Sequence, residues 1–136
     1  WTAHDTESDL NLTALMNPRL KRSIVFVISD TMNLDEKSFK AACKKHDVVF
    51  IYISSHFEDT LDRDGVSQVR WADWDVMIDT LNSEHKERYR ELRDKQKKEF
   101  ALVLRKLWAD SLMLNESSSL LWEFLKLMKK RMNFVR

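Results

Sequence analysis

The chain has 136 residues, of which 43% are hydrophobic and 33% are charged, so it can form one domain with a buried core and a strongly solvated surface. Lys and Arg number 23 against 22 for Asp and Glu, a formal net charge of +1, which gives no general reason to expect a nucleic-acid partner. The single cysteine, Cys43, excludes an internal disulfide and fits a reducing compartment. No apolar run approaches the roughly 20 residues that a membrane span needs, and no signal peptide is visible.

Two further features predict a fragment without a phosphate loop. The chain begins at Trp1 and lacks an initiator Met, so we expect an excised or processed part of a longer protein. It contains one Gly, whereas average usage is about 7%. A Gly-rich loop that cradles phosphate is therefore not available within it.

The first half of the chain predicts a βαβ unit. The β-branched run Ser23–Ser29 is typical of a strand buried on both faces, and Val48–Ile53 predicts a second strand. Between them, Asn33 and Glu36 match a capping box that starts a helix ending at His46. The inner face of this helix is Phe39, Ala42 and Cys43. Because such a crossover joins parallel strands, Asp30 should lie exposed at the carboxyl end of the first strand.

The middle of the chain predicts a loop, a hairpin and a long helix. Ser54–Gly65 is polar and typical of a loop, and Val66–Arg70 with Asp75–Ile78 predicts a short hairpin. From Ser83 to Trp108 the pattern is helical without a Gly or Pro. Its charged first half is expected to project into water, helped by pairs such as Glu84–Arg88. Its second half has an apolar face made of Phe100, Val103, Leu104 and Leu107.

The last segment predicts a third strand and a final helix. Ser111–Asn115 is the strand, and Ser117 or Ser118 is expected to cap the helix. The residues expected to face inward are Leu120, Leu121, Phe124, Leu125 and Met128. Since α/β sheets usually have five or six strands, we expect the first strands to lie upstream of Trp1. An unpaired sheet edge would then make this segment associate with itself or with an added fragment.

Two short segments and the order of elements carry a family resemblance. The strand ending in Ile28-Ser-Asp30, the segment Lys45-His-Asp-Val-Val49 and the succession of elements resemble the bacterial domain-of-unknown-function 58 family, which is similar to von Willebrand factor A domains. The resemblance implies an α/β, parallel-sheet, Rossmann-like domain of three layers. Residues 1–136 would be a single domain, the C-terminal portion of a von Willebrand factor A-like domain whose N-terminal strands are missing.

The resemblance also implies a cation site at the carboxyl edge of the sheet. Von Willebrand factor A domains bind a divalent cation through an Asp-x-Ser-x-Ser loop, a Thr and an Asp. In this chain the loop is missing, Ser8 falls nearest to the Thr, and Asp30 matches the Asp. Because Mg²⁺ needs about six oxygen ligands, we expect it in the full-length protein and not in this chain. Asp30 is alternatively a plain helix-capping carboxylate.

Other candidate site residues are weighed on their own patterns. Trp71 and Trp74 form either an exposed partner-binding pair, since Trp is frequent at interface hot spots, or a cover for the sheet edge. The four His show no zinc spacing, Cys43 fits a core position better than a nucleophile, and no serine lies in a Gly-x-Ser-x-Gly elbow. The acidic start at Asp5, Glu7 and Asp9 is either part of a cluster with Asp30 or a frayed terminus.

The function expected from these observations is protein binding and not catalysis. The family resemblance implies a MoxR-type AAA+ ATPase as the partner, with no nucleic acid and no membrane contact by this segment. It also implies a cytoplasmic location and a parent protein anchored in the inner membrane. The alternative is a metal-dependent phosphoryl-transfer or hydrolytic enzyme that uses Asp30 and loop carboxylates, of which a receiver-like phospho-acceptor is a variant.

Overall fold

A computed structural model describes residues 9–61, 66–71 and 74–134, which form an α/β fold with two sheets. A 3-10 turn at Thr13–Met16 precedes the first strand. The strands are β1 Ile24–Ser29, β2 Asp47–Ile53, β3 Val66–Trp71, β4 Trp74–Asp79 and β5 Asp110–Leu114, and the helices are α1 Glu36–Lys45, α2 His56–Thr60, α3 Ser83–Lys106 and α4 Leu120–Phe134. None of the described helices is long and apolar enough to cross a membrane.

The predicted parallel βαβ unit is confirmed. β1 pairs with β2 in parallel from Ile24↔Asp47 to Ser29↔Tyr52, and α1 connects them. The start of the helix differs from the prediction, because Asp35 is its N-cap and accepts a hydrogen bond from the Ser38 amide. Asp35 takes this role because a carboxylate satisfies free amides of the first turn as well as an Asn does.

The predicted third strand and the hairpin are also confirmed. β5 pairs with β2 in parallel, which gives a main sheet in the order β1-β2-β5. β3 and β4 pair antiparallel as a separate two-stranded sheet, with Trp71 opposite Trp74 at the turn end. The two strands include Trp71 and Trp74, so each is longer than the sequence indicated.

Helices cover both faces of the main sheet. On one face, α1 and α3 pack against Val48, Phe50 and Tyr52 of β2. On the other face, Leu127 of α4 packs against Val49 of β2 and against β5. Three layers result, as the family resemblance implied, and β2 is buried on both sides.

The expectation that β1 is buried on both faces is wrong. Val27 is buried against the α1 and α3 layer, whereas Ile24, Phe26 and Ile28 on the other face are exposed. The reason is the position of α4, which lies over β2 and β5 and reaches β1 only where the Phe124 ring meets the Phe26 ring.

Two further expectations about helices are wrong. The predicted loop after β2 contains α2, because Ser55 and Glu58 form a capping box that starts a helical turn. The first half of α3 does not project freely into water, because Tyr89 is buried and its hydroxyl donates to the carbonyl of Glu58 at 2.6 Å. The predicted Glu84–Arg88 pair is present at 2.8 Å.

The inward face of α4 is only partly as expected. Phe124 and Met128 pack against the core and Leu127 is buried, whereas Leu120, Leu121 and Leu125 are exposed. Arg131 on the same helix binds Asp47 at 2.9 Å and Asp110 at 2.7 Å, at the amino ends of β2 and β5, and these contacts agree with the observed orientation of the helix. The N-cap hydroxyl is that of Ser119, which accepts from the Trp122 amide at 3.4 Å.

The burial of the sheet gives a stability prediction. Val27→Ala or Ile51→Ala removes buried methyl groups and should lower the free energy of unfolding by about 1–4 kcal/mol, measured by urea denaturation. Leu92→Ala is the matched control, because this apolar side chain on α3 is half exposed and should change the value by less than about 0.5 kcal/mol. Equal effects at the three positions would contradict the described packing.

Candidate functional site

The carboxyl ends of the three parallel strands form the edge of a groove of ≈ 470 Å³. Parallel strands bring their carboxyl ends to one edge of the sheet, where α/β folds usually bind ligands. The groove is lined by Asp30 after β1, by Ile53, Ser54, Ser55 and Glu58 after β2, and by Leu114, Asn115, Glu116, Ser118 and Leu120 around the end of β5.

Asp30 occupies the position that the sequence predicted, exposed directly after β1. The turn that follows is held by the Ser29 hydroxyl, which accepts a hydrogen bond from the Thr31 amide at 3.2 Å. The carboxylate therefore faces the groove from the β1 end of the edge.

Two more carboxylates of the groove are fixed by backbone amides. Glu58 accepts from the amide of Ser55 at 3.2 Å and closes the capping box of α2. Glu116, in the loop after β5, accepts from the amide of His56 at 2.5 Å. Anionic side chains are favourable at a helix N-terminus. Glu58 stabilises the first turn of α2 from within, and Glu116 holds the start of α2 against the β5 loop.

Asp59 is the centre of a polar cluster beneath α2. Its side chain is 2.5 Å from Lys97 Nζ and 3.7 Å from Arg93, and all three side chains are mostly buried. The Ser54 hydroxyl donates to Asp59 at 2.9 Å, and the Asn115 amide group lies at 3.4 Å from the same carboxylate oxygen. The cluster joins α3 to the carboxyl ends of β2 and β5.

The cluster keeps Asp59 ionised. Burial by itself raises the pKa of this carboxyl, but contact with the Lys97 ammonium and the hydrogen bonds from Ser54 and Asn115 outweigh it, so the pKa lies below its ordinary value. Arg93 also donates to the Tyr52 hydroxyl at 3.1 Å, which ties the same cluster to the buried face of β2.

The acidic residues of the groove were compared with what a cation site requires. They contain no group of three or more His, Cys, Asp or Glu side chains placed to hold a metal ion. Glu58 and Glu116 each bind a backbone amide, which leaves Asp30 as the carboxylate of the groove without such a contact among the described residues, and a hard cation needs about six oxygen ligands. Ser8, the other expected ligand, lies outside the described residues.

The two tryptophans are brought together by the backbone of the hairpin. Trp71 ends β3, Trp74 begins β4, and the two residues are directly opposite each other. The partner-binding role of these residues stays a prediction.

Cys43 and His46 have structural surroundings. Burial and then the charge of Asp47 raise the pKa of the half-buried Cys43 thiol, which disfavours the nucleophilic thiolate. His46 caps the C-terminus of α1 and is buried, and its Nε2 lies 2.9 Å from the carbonyl oxygen of Leu15. This ring therefore holds the 3-10 turn against α1 and does not bond to the last carbonyls of the helix.

Sequence reasoning missed the residues of α2. The pattern Ser55-His-Phe-Glu58 is a readable capping-box signal, and it marks both the helix and one wall of the groove. The role of Asp59 had no such local signal, because its partners Lys97 and Asn115 lie far along the chain.

The sequence matches the family described as Protein of unknown function DUF58 over residues 2–99. The match covers over two thirds of the chain, includes Asp30, Trp71 and Trp74, and ends within α3. No curated protein and no solved structure matches the chain.

The polar cluster gives a prediction with a defined pH dependence. Asp59→Asn should lower the free energy of unfolding at pH 7 by about 1.5–3 kcal/mol, the range for hydrogen bonds to charged groups. Because the folded pKa is lowered, the contribution of Asp59 is complete above the unfolded value of about 3.9 and is lost as pH falls through the folded value. The difference between the two proteins should therefore shrink below about pH 4.

Glu84→Gln is the control for this prediction. Its partner Arg88 is exposed, as Glu84 is, so the change should be below about 1 kcal/mol. Chemical denaturation at pH 7 and at pH 3 measures both variants. A difference between the native chain and Asp59→Asn that grows as pH falls would refute the assigned ionisation state.

Proposed function

The chain belongs to the DUF58 family of proteins of unknown function, and we propose that it is a protein-interaction module of the von Willebrand factor A-like kind. The observation that carries this proposal is the groove at the carboxyl edge of the sheet, which joins an exposed Asp30 to an apolar wall of Ile53, Leu114 and Leu120. Such a combination of a charge with adjacent apolar surface is typical of a protein-binding surface.

The charges of the groove define the chemistry of the partner. Asp30, Glu58 and Glu116 line it, and among the described residues its lining contains no Lys or Arg. A partner that inserts a basic side chain beside an apolar one would complement both features. Opposite charges across an interface favour the right partner and speed association.

The positions of the other acids support binding over catalysis. Glu58 and Glu116 each bind a backbone amide, and Asp59 is paired with Lys97. Each of the three acids therefore stabilises the fold through a specific contact. General acid–base catalysis needs a group that can reach the substrate and has a pKa near the working pH.

The resemblance to von Willebrand factor A domains supplies the rest of the proposal. The partner we propose is a MoxR-type AAA+ ATPase, with this module in the cytoplasm and the full-length protein anchored in the inner membrane. In that protein Mg²⁺ would bind beside Asp30, with the remaining ligands provided by residues outside the described groove.

Partner binding is tested with the full-length protein and its purified MoxR-type ATPase. Asp30→Ala should weaken binding about tenfold while changing the free energy of unfolding by less than about 0.5 kcal/mol, because Asp30 is exposed. Biolayer interferometry and thermal melting are the measurements. Glu99→Gln is the control, since this exposed carboxylate on α3 does not line the groove.

If the Asp30→Ala variant binds the ATPase with unchanged affinity, the groove is not part of the interface. If the full-length protein instead hydrolyses a phosphate ester, and Asp30→Ala abolishes that activity without affecting ATPase binding, the rival enzymatic function would replace the proposal.

Metal binding by this chain gives a separate prediction. Titration with Mg²⁺ or Mn²⁺ at millimolar concentration should give no stoichiometric heat, because the described residues provide too few oxygen ligands. Isothermal titration calorimetry measures this directly. A site of micromolar affinity that Asp30→Ala removes would show that this chain holds a self-contained cation site.

A further inference from the structure

A second groove lies at the start of β5, at the opposite end of that strand from the acidic groove of Asp30, Glu58 and Glu116. Its volume is ≈ 380 Å³, and α3, the first residues of β5 and α4 form its walls. The acidic groove instead includes Leu114, with which β5 ends. The second groove, which we call the basic groove, is lined by Lys98, Ala101, Leu102, Arg105, Ala109, Asp110, Ser111 and Lys130.

The basic groove carries positive charge that the described residues do not neutralise. Lys98, Arg105 and Lys130 are exposed, and none of the three forms an ion pair within residues 9–61, 66–71 and 74–134. The carboxylate in the lining, Asp110, is bound by Arg131 at 2.7 Å. The three cations are therefore available to an anionic ligand.

Two of these cations lie on one face of α3 with an apolar surface between them. Lys98, Ala101, Leu102 and Arg105 are spaced i, i+3, i+4 and i+7, so they share one side of the helix. Leu102 is 55% exposed, so the apolar middle of this row is accessible. Seven helical positions span about 10.5 Å, which corresponds to roughly three residues of an extended chain at about 3.3 Å each.

Trp108 is fixed beside the basic groove by the end of α3. Its amide donates to the Arg105 carbonyl at 3.1 Å, and the amide of Ala109 donates to the Leu104 carbonyl at 3.0 Å. These two hydrogen bonds form a Schellman motif, in which the residue after the helix takes a left-handed conformation. Trp108 does so with a φ of 68°. Because Arg105 and Ala109 both line the basic groove, Trp108 lies at its end.

The packing of the chain does not explain why this position is a Trp. Glycine is the usual residue there, because a Cβ atom makes the left-handed conformation unfavourable. The indole does not recover this cost through burial, since Trp108 is 85% exposed. Trp is among the side chains most enriched at binding hot spots. A contact with a partner therefore accounts for Trp108 better than a contact within the fold.

We propose that the basic groove binds an acidic, extended segment of a partner protein. Two carboxylates of this segment, about 10 Å apart, pair with Lys98 and Arg105, and Lys130 provides a third cation from α4. An apolar residue between the carboxylates packs on the apolar surface of α3, and an aromatic residue beside them packs on the Trp108 indole. Clusters of basic side chains recognise acidic motifs in this way.

The shape and charge of this region favour a peptide over other anionic partners. A groove between α3 and α4 is concave, so a flat membrane surface does not reach its floor. A nucleic acid needs a longer row of phosphate contacts. The neighbouring groove of Lys37, Lys40 and Lys106 does not extend the row suitably, because it contains the carboxylate of Glu36. An extended peptide segment matches the length of the row on α3.

Peptide binding to the full-length protein tests the charge pairing. The probe is the fluorescein-labelled peptide Ser-Glu-Leu-Asp-Glu-Phe-Ser, and its counterpart with Gln and Asn in place of the acids is the control. Fluorescence anisotropy should show saturable binding of the acidic peptide alone, which weakens as salt is added. Lys98→Glu and Arg105→Glu should each raise the dissociation constant about tenfold or more.

Lys37→Glu is the matched control for these charge reversals. It makes the same change in net charge at an exposed lysine of the neighbouring groove. At about 0.1 M salt, charges more than about 10 Å apart are largely screened, so this variant should raise the dissociation constant less than about threefold.

Replacing Trp108 separates recognition from folding. Gly and Asn both suit a left-handed position, so Trp108→Gly and Trp108→Asn should keep or raise the melting temperature. The affinity for the acidic peptide should nevertheless fall about tenfold, because the exposed ring is lost. Thermal melting and anisotropy of the same samples measure both effects. A lower melting temperature for both variants would assign the indole to the fold and count against the proposal.

Three results would overturn the proposal. They are the absence of saturable binding, equal binding of the uncharged peptide, and equal weakening by Lys37→Glu and Lys98→Glu. If a DNA duplex or anionic lipid vesicles bind through Lys98 and Arg105 and the peptide does not, that partner replaces the acidic segment. The assay contains no ATPase, and Asp30→Ala should leave peptide binding unchanged, so its outcome is independent of the proposed function.

Discussion

The burial of β2 on both faces is the constraint on which the rest of the structure depends. Val48, Phe50 and Tyr52 face α1 and α3, while Val49 and Ile51 face α4. A strand with such a sequence cannot satisfy its backbone groups and side chains unless strands flank it and helices cover it. β1 and β5 provide the flanks. Because both pair in parallel with β2, their carboxyl ends meet at one edge of the sheet, where the acidic groove lies.

Helix α3 carries charged residues in two different environments, exposed and mostly buried. Glu84 and Arg88 pair on its solvated side, where exposed ion pairs contribute little to stability. Lys97 turns inward to Asp59, and the pair lies in a mostly buried position where an unpaired charge would be costly. A highly charged helix can therefore also have a structural role. The sequence of α3 indicates a solvent-exposed helix, but its Lys97 holds α2 in place through Asp59.

The sequence was sufficient for the order of elements because the β-branched runs and the apolar period of α3 are local signals. The sequence did not predict the features that depend on contacts between residues far apart in the chain. The exposure of the second face of β1 depends on how far α4 extends over the sheet. The orientation of α4 involves Arg131, which binds Asp47, a residue 84 positions away in the sequence. In the candidate site, Asp30 could be found because it ends a strand. The role of Glu116 could not, because its contact with His56 exists only after β5 has paired.

The groove is assembled from parts that are distant in sequence, and this has a consequence for folding. His56 and Glu116 are separated by 60 positions, so their contact closes a longer loop, at a higher cost in chain entropy, than the contacts within the local β1-α1-β2 unit. A chain arrested before β5 docks would expose Asp30 but would lack the opposite wall of the groove. A ligand that needs both walls binds the completed fold alone, and by mass action it shifts the folding equilibrium toward that state.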